Sequence, residues 1–76
     1  MEKTIESLIS ILSNATHRED FTDIDLDKSL KDQGIDSLDT MSFFFSLEKE
    51  FNIKISVEEQ NTLHSLNDIL RFVSSK

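Results

Sequence analysis

Apolar residues in this sequence recur with a helical period near both ends, and almost nowhere with the alternation of a strand. Ile5, Leu8, Ile9 and Leu12 fall at i, i+3, i+4 and i+7, a spacing that stacks them on one face and predicts a helix over roughly residues 3–14. Leu66, Ile69, Leu70 and Val73 repeat the pattern near the C-terminus. Between them, Leu38 to Phe51 is the strongest apolar segment, with Asp36 or Ser37 placed to cap its start. Ser56-Val57-Glu58-Glu59 has the Ser-x-x-Glu form of a capping box and marks a short further helix; Ser65-Leu66-Asn67-Asp68 carries a similar signal for the last one. With no proline and one glycine among 76 residues, the chain has few built-in breaks. Helices this short are marginal in water alone, so they must pack on one another. The expected fold is all-α: one domain over residues 1–76, a small four-helix bundle of three longer helices and one short one, with a long acidic loop between helices 1 and 2.

Size and composition then exclude chemistry. A domain this small buries on the order of 60% of its unfolded surface, which leaves little room for a deep, water-excluded active site. The absence of cysteine removes disulfides, zinc thiolate sites and cysteine nucleophiles. The segment MEKTIESLISIL carries charges through its first six residues and holds no apolar run long enough for a signal peptide or a membrane span. A soluble, cytoplasmic protein without membrane attachment is expected.

The net charge of −7 is concentrated: residues 19–39 hold eight acids (Glu19, Asp20, Asp23, Asp25, Asp27, Asp32, Asp36 and Asp39) against two lysines. Such a patch steers basic partners in and keeps nucleic acid away. A bare charge run reads as a solvated, disordered loop. Here Phe21, Ile24, Leu26, Leu30 and Ile35 are threaded between the charges, which points to a loop pinned to the core by its apolar side chains.

Within that segment Asp23, Asp25 and Asp27 imitate the first ligands of a calcium loop. The pattern fails where glycine and a bidentate glutamate are required, because Lys28 and Gly34 stand there. The stretch Gly34-Ile35-Asp36-Ser37 also fails as a serine-hydrolase elbow, since no glycine follows the serine at position 39. A serine nucleophile needs a base within hydrogen-bond reach, and the two histidines, His17 and His64, are both remote in sequence. Neighbouring carboxylates oppose ionisation of the Ser37 hydroxyl. If it reacts, a docked partner enzyme must bring the base and the positive charge. A helix start at Ser37 would afterwards favour an anion there. Ser37 is better read as a site of modification than as a catalyst.

Gly34-Ile35-Asp36-Ser37-Leu38-Asp39-Thr40, followed by Leu47-Glu48-Lys49-Glu50-Phe51-Asn52-Ile53-Lys54-Ile55, resembles the acyl carrier protein family over essentially the whole chain. In that family an Asp-Ser-Leu motif opens the second helix and an LE-x-EF motif closes it. The resemblance implies a carrier rather than an enzyme. It also implies that a phosphopantetheinyl transferase places 4′-phosphopantetheine from coenzyme A on Ser37, and that the arm's thiol holds acyl groups as thioesters. By the same resemblance Asp36, Asp39, Glu48 and Glu50 face acyl-processing enzymes with basic docking patches, and the protein is expected to be a monomer. Ser42 and Lys49 stand where many family members carry acids, which leaves the polar face of the second helix less negative than usual.

A helical wheel at about 100° per residue divides the second helix. Its apolar arc spans roughly 220°, more than one core-facing stripe requires. Phe43, Leu47, Phe51 and Phe44 are assigned to the bundle. Leu38, Met41 and Phe45 border Ser37 and form an exposed, acid-ringed contact surface, and Glu48 interrupts the arc. The alternative is that all these residues are core and Glu48 snorkels. Two functional alternatives stay open beside fatty acid synthesis: a specialised carrier for another acyl or aminoacyl pathway, and an unmodified acidic helical module that binds a partner through Leu38, Met41 and Phe45.

Overall fold

The structure is a computed structural model that describes residues 2–17, 21 and 23–76. Among the described residues four helices follow one another: α1 (Ile5–Thr16), α2 (Ser37–Phe51), α3 (Val57–Gln60) and α4 (Leu66–Ser74), with a 3₁₀ turn at Lys31–Gln33 before α2. No strand occurs among the described residues. The small all-helical bundle expected from the apolar spacing is therefore the architecture observed.

The helix ends follow the local chemistry. Thr4 caps α1, its hydroxyl oxygen accepting from the Ser7 N–H at 3.1 Å. The helix runs two residues beyond the expected end, with the Thr16 hydroxyl donating to the Leu12 carbonyl at 2.8 Å, and His17 closes it in the left-handed region at φ 58°. Asn52 does the same for α2 at φ 54°, a conformation asparagine tolerates better than most residues. The Ser56/Glu59 and Ser65/Asp68 capping boxes both form.

Helix α1 packs against α2 and α4. The core is Leu8, Ile11 and Leu12 of α1, Phe43, Phe44 and Leu47 of α2, and Leu66, Ile69 and Val73 of α4, all buried. Ile11 was not part of the expected stripe, whereas Ile5 and Ile9 are only half-buried. A helix held between two others buries a wider arc than one facing a single neighbour.

The acidic connection is fastened as its apolar residues suggested: Phe21, Leu30 and Ile35 are buried, and Ile24 and Leu26 are half-buried against the core. Glu19 and Asp20 lie outside the described residues. The Gln33 side chain ties the loop to itself, its Oε1 accepting from the Asp25 N–H at 2.7 Å and its Nε2 donating to the carbonyls of Asp25 at 2.9 Å and Lys28 at 3.0 Å. The loop is also bound to the start of α4 and the residues before it. The Asn67 side chain donates to Asp27 Oδ1 at 2.6 Å, the Asn67 N–H to the Leu26 carbonyl at 3.0 Å, and the Leu30 N–H to the His64 carbonyl at 2.9 Å. Asp25 Oδ1 accepts from the Asp27 N–H at 2.9 Å, a turn interaction. No cluster of metal-ligating side chains occurs among the described residues.

Candidate functional site

Gly34 sets the direction from which the chain enters α2. It adopts φ 89° and donates its N–H to the Lys31 carbonyl at 3.2 Å, closing the 3₁₀ turn. Only glycine holds that backbone without strain. The Ile35 N–H then donates to the Leu30 carbonyl at 3.1 Å, and the Ile35 side chain is buried. This anchor delivers Asp36 and Ser37 to the surface, where both are exposed.

Of the two candidate caps, Asp36 takes the role. Its Oδ1 accepts from the Asp39 N–H at 2.9 Å, while its carbonyl accepts from the Thr40 N–H at 3.0 Å and the Thr40 hydroxyl at 2.8 Å. Ser37 is thereby left as the first residue of α2 with its hydroxyl in no hydrogen bond among the described residues. The N–H groups of Ser37 and Leu38 likewise have no acceptor there, the usual condition of a first helical turn. An anion bonded to the Ser37 oxygen would meet these donors and the positive end of α2.

Beside Ser37 a cleft of about 650 Å³ opens to solvent, a size common for small-molecule sites. Leu30, Ile35, Met41, Phe44 and Leu63 give it an apolar lining, while Lys31, Asn61 and His64 stand around it. The sequence treated His64 as remote. The Leu30–His64 backbone bond brings it to the cleft that Ser37 also lines, although no hydrogen bond joins the two side chains. Asn61, Leu63 and His64 carried no signal of their own, because their position depends on how the chain between α3 and α4 returns past α2. An exposed, unengaged hydroxyl, two free N–H donors and an adjoining cleft together suit a covalently attached phosphate-linked arm. They do not suit self-activated serine chemistry, which would need a base bonded to the hydroxyl.

The other singled-out residues of α2 divide largely as the wheel indicated. Phe43, Phe44 and Leu47 are buried and Phe51 is half-buried against the core, while Leu38, Met41 and Phe45 remain 73%, 61% and 62% exposed. The reading that made all of them core is excluded. Asp39 and Glu48 are half-buried, and Glu50 is exposed. Glu48 has an internal duty as well, because its Oε2 accepts from the Ile55 N–H at 3.0 Å and fastens the segment after α2 to the helix. Lys49 lies with its Nζ 5.5 Å from the centre of the Phe45 ring. This places a cation beside the exposed apolar patch. No helix among the described residues is long and apolar enough to cross a membrane.

Two capping carboxylates are perturbed. The Ser56 backbone N–H, with the Ser56 hydroxyl and Lys76, holds the Glu59 carboxyl below its ordinary range. Partial burial pushes Asp68 up, but the Ser65 and His64 backbone N–H groups, the Ser65 hydroxyl and Arg71 outweigh it and hold that carboxyl low.

Residues 6–73 match the family model described as a phosphopantetheine attachment site. The chain belongs to this family, the acyl carrier proteins, whose members are carriers rather than enzymes and whose covalent cofactor is 4′-phosphopantetheine. It is 35% identical over 48 residues to the acyl carrier protein of Wolinella succinogenes, an alignment covering 63% of each chain. It is 38% identical over 47 residues to the acyl carrier protein of Buchnera aphidicola subsp. Acyrthosiphon pisum, covering 62% of this chain and 59% of that one. The matches therefore span less than two thirds of these relatives' lengths.

Proposed function

We propose that Ser37 carries the 4′-phosphopantetheine arm and that the protein shuttles acyl groups, held as thioesters on the arm's thiol, between enzymes of fatty acid or related acyl biosynthesis. The observation that carries this reading is the exposed Ser37 hydroxyl, left unengaged at the first position of α2 because Asp36 alone supplies the cap. In the loading step Ser37 Oγ forms a bond to the phosphorus bearing the pantetheine group of coenzyme A. The phosphoanhydride bond breaks, the adenosine bisphosphate leaves, and the hydroxyl proton passes to a base on the transferase. The chain itself contributes position and field: the free N–H groups of Ser37 and Leu38 face the new phosphodiester, and the acids keep the approach selective for a basic partner.

Asp36, Asp39 and the available oxygen of Glu48 recruit basic patches on the transferase and on acyl-processing enzymes. Leu38, Met41 and Phe45 supply the apolar contact at the centre of that surface, an arrangement of apolar core and charged rim typical of transient interfaces. The protein acts as a cytoplasmic monomer without nucleic-acid or membrane contact. Incubation with coenzyme A, magnesium and a phosphopantetheinyl transferase should add the mass of one arm to the intact protein, and Ser37→Ala should abolish the gain. An unchanged mass, under conditions that modify a control carrier, sinks the proposal.

A further inference from the structure

The outward face of α2 is not acidic along its length. Leu38, Ser42, Phe45 and Lys49 recur at i, i+4, i+7 and i+11 and fall within about 60° of arc, and all four are exposed. Asp39 and Glu50 lie to one side of this strip and Glu48 to the other, so the only charge on its midline is Lys49. The chain has 15 acidic residues against 8 basic ones, yet Lys49 forms no ion pair among the described residues. Its Nζ lies instead over the Phe45 ring, 5.5 Å from the centre. Glu48, the acid next to it in sequence, points off the opposite flank and has its Oε2 held by the Ile55 N–H at 3.0 Å. Beside the strip opens a shallow cavity of about 450 Å³, lined by Met41, Ser42, Phe45, Ser46, Glu48 and Gln60. At about 1.5 Å of rise per residue, Lys49 stands roughly 18 Å along the axis from Ser37. The face thus has two electrostatic ends, Asp36 and Asp39 beside Ser37 and a cation far from it. An enzyme with a uniformly basic patch would pair with the first end and set a like charge against the second, which opposes docking. A carboxylate at that point would meet an ammonium with no internal ion pair to break.

We propose that Lys49 determines which partners this face accepts: the surface fits an acyl-processing enzyme that offers basic side chains to Asp36 and Asp39, an apolar side chain to the cavity beside Phe45, and a carboxylate about 18 Å from the mouth through which the arm enters. Enzymes whose docking patch is basic along its whole length are disfavoured. The inference rests on the reading of Ser37 as the attachment site.

The test loads the wild-type chain, Lys49→Gln and Lys49→Glu with the arm, verifies each product by intact mass, and measures binding by calorimetry to two probes. The first is a ketoacyl synthase of known structure whose docking patch is basic throughout. The second is the same enzyme with the patch arginine about 18 Å from its tunnel mouth changed to glutamate. Toward the first probe Lys49→Gln should bind about threefold and Lys49→Glu about tenfold more tightly than the wild type. Toward the second the order should reverse, with the wild type tightest, and both differences should shrink in about 0.5 M salt. Urea midpoints should be unchanged, since Lys49 is exposed; Lys49→Gln, which keeps a long side chain over Phe45, separates loss of charge from loss of packing. No tightening of Lys49→Glu toward the first probe, the same order toward both probes, or no binding by any variant overturns the inference while leaving the attachment reading intact. Failure of the arm to attach, seen directly in the mass, overturns both.

Discussion

Asp36 is assigned two separable duties, capping α2 and presenting negative charge beside Ser37, and two substitutions pull them apart. Its Oδ1 bond to the Asp39 N–H is 2.9 Å long. Loss of such a cap costs about 1 kcal/mol. Asp36→Ala removes the cap and the charge. Asp36→Asn keeps an acceptor of comparable capping strength and removes only the charge, whose favourable interaction with the α2 dipole, about 0.5 kcal/mol, is offset by relief of repulsion within the acidic segment. For a domain of this size the urea dependence is about 1 kcal/mol per molar. Asp36→Ala should therefore lower the urea midpoint by about 1 M, and Asp36→Asn should leave it within about 0.3 M of the wild type. Transferase assays should show the opposite grouping, with kcat/KM reduced in both variants and its salt dependence flattened to the same degree. Urea unfolding followed by circular dichroism, run beside the modification assay, decides the matter. An Asn variant as unstable as the Ala variant, or an Ala variant as stable as the wild type, would refute the capping argument.

Three further outcomes follow from the structure. Gly34→Ala should lower stability by about 1 kcal/mol in chemical unfolding, because φ is 89° while an added Cβ meets no atom within 4 Å, so backbone strain is the only cost. Phe45→Asp, at a residue 62% exposed, should shift stability by no more than about 0.5 kcal/mol yet abolish binding to an acyl-processing partner in calorimetry. Stability should fall on acidification from about pH 4.5 downward. The depressed Glu59 and Asp68 carboxyls contribute stability that is fully present above their unfolded values and is lost as pH drops through the folded ones. Asp68→Asn should flatten that part of the profile in acid-titration melts.

Much of the bundle was legible because helical geometry is local. The rotation of about 100° per residue separates Phe43, Phe44 and Leu47 from Leu38, Met41 and Phe45 on the wheel, and the exposures agree. Both capping boxes were visible as spacings of three residues. Ile11 was missed because a single-stripe template has no place for it, whereas α1 buries two flanks, one against α2 and one against α4. Glu48 was seen as an acid on the partner face; its bond to the Ile55 N–H joins residues 7 apart and depends on the turn at Asn52. The cleft was the least legible part. It requires Leu30 and His64 to be joined by a backbone bond across the fold, and nothing in the spacing of Asn61, Leu63 or His64 announces that they border Ser37.

The central claim is that one serine bears the arm, and peptide fragmentation tests it most directly. Digestion after lysine releases residues 32–49, which contain Ser37 together with Ser42 and Ser46. Fragment ions of the transferase-treated protein should place the whole mass gain on Ser37 and none on the other two. A gain located on Ser42, on Ser46 or outside this peptide would contradict the account.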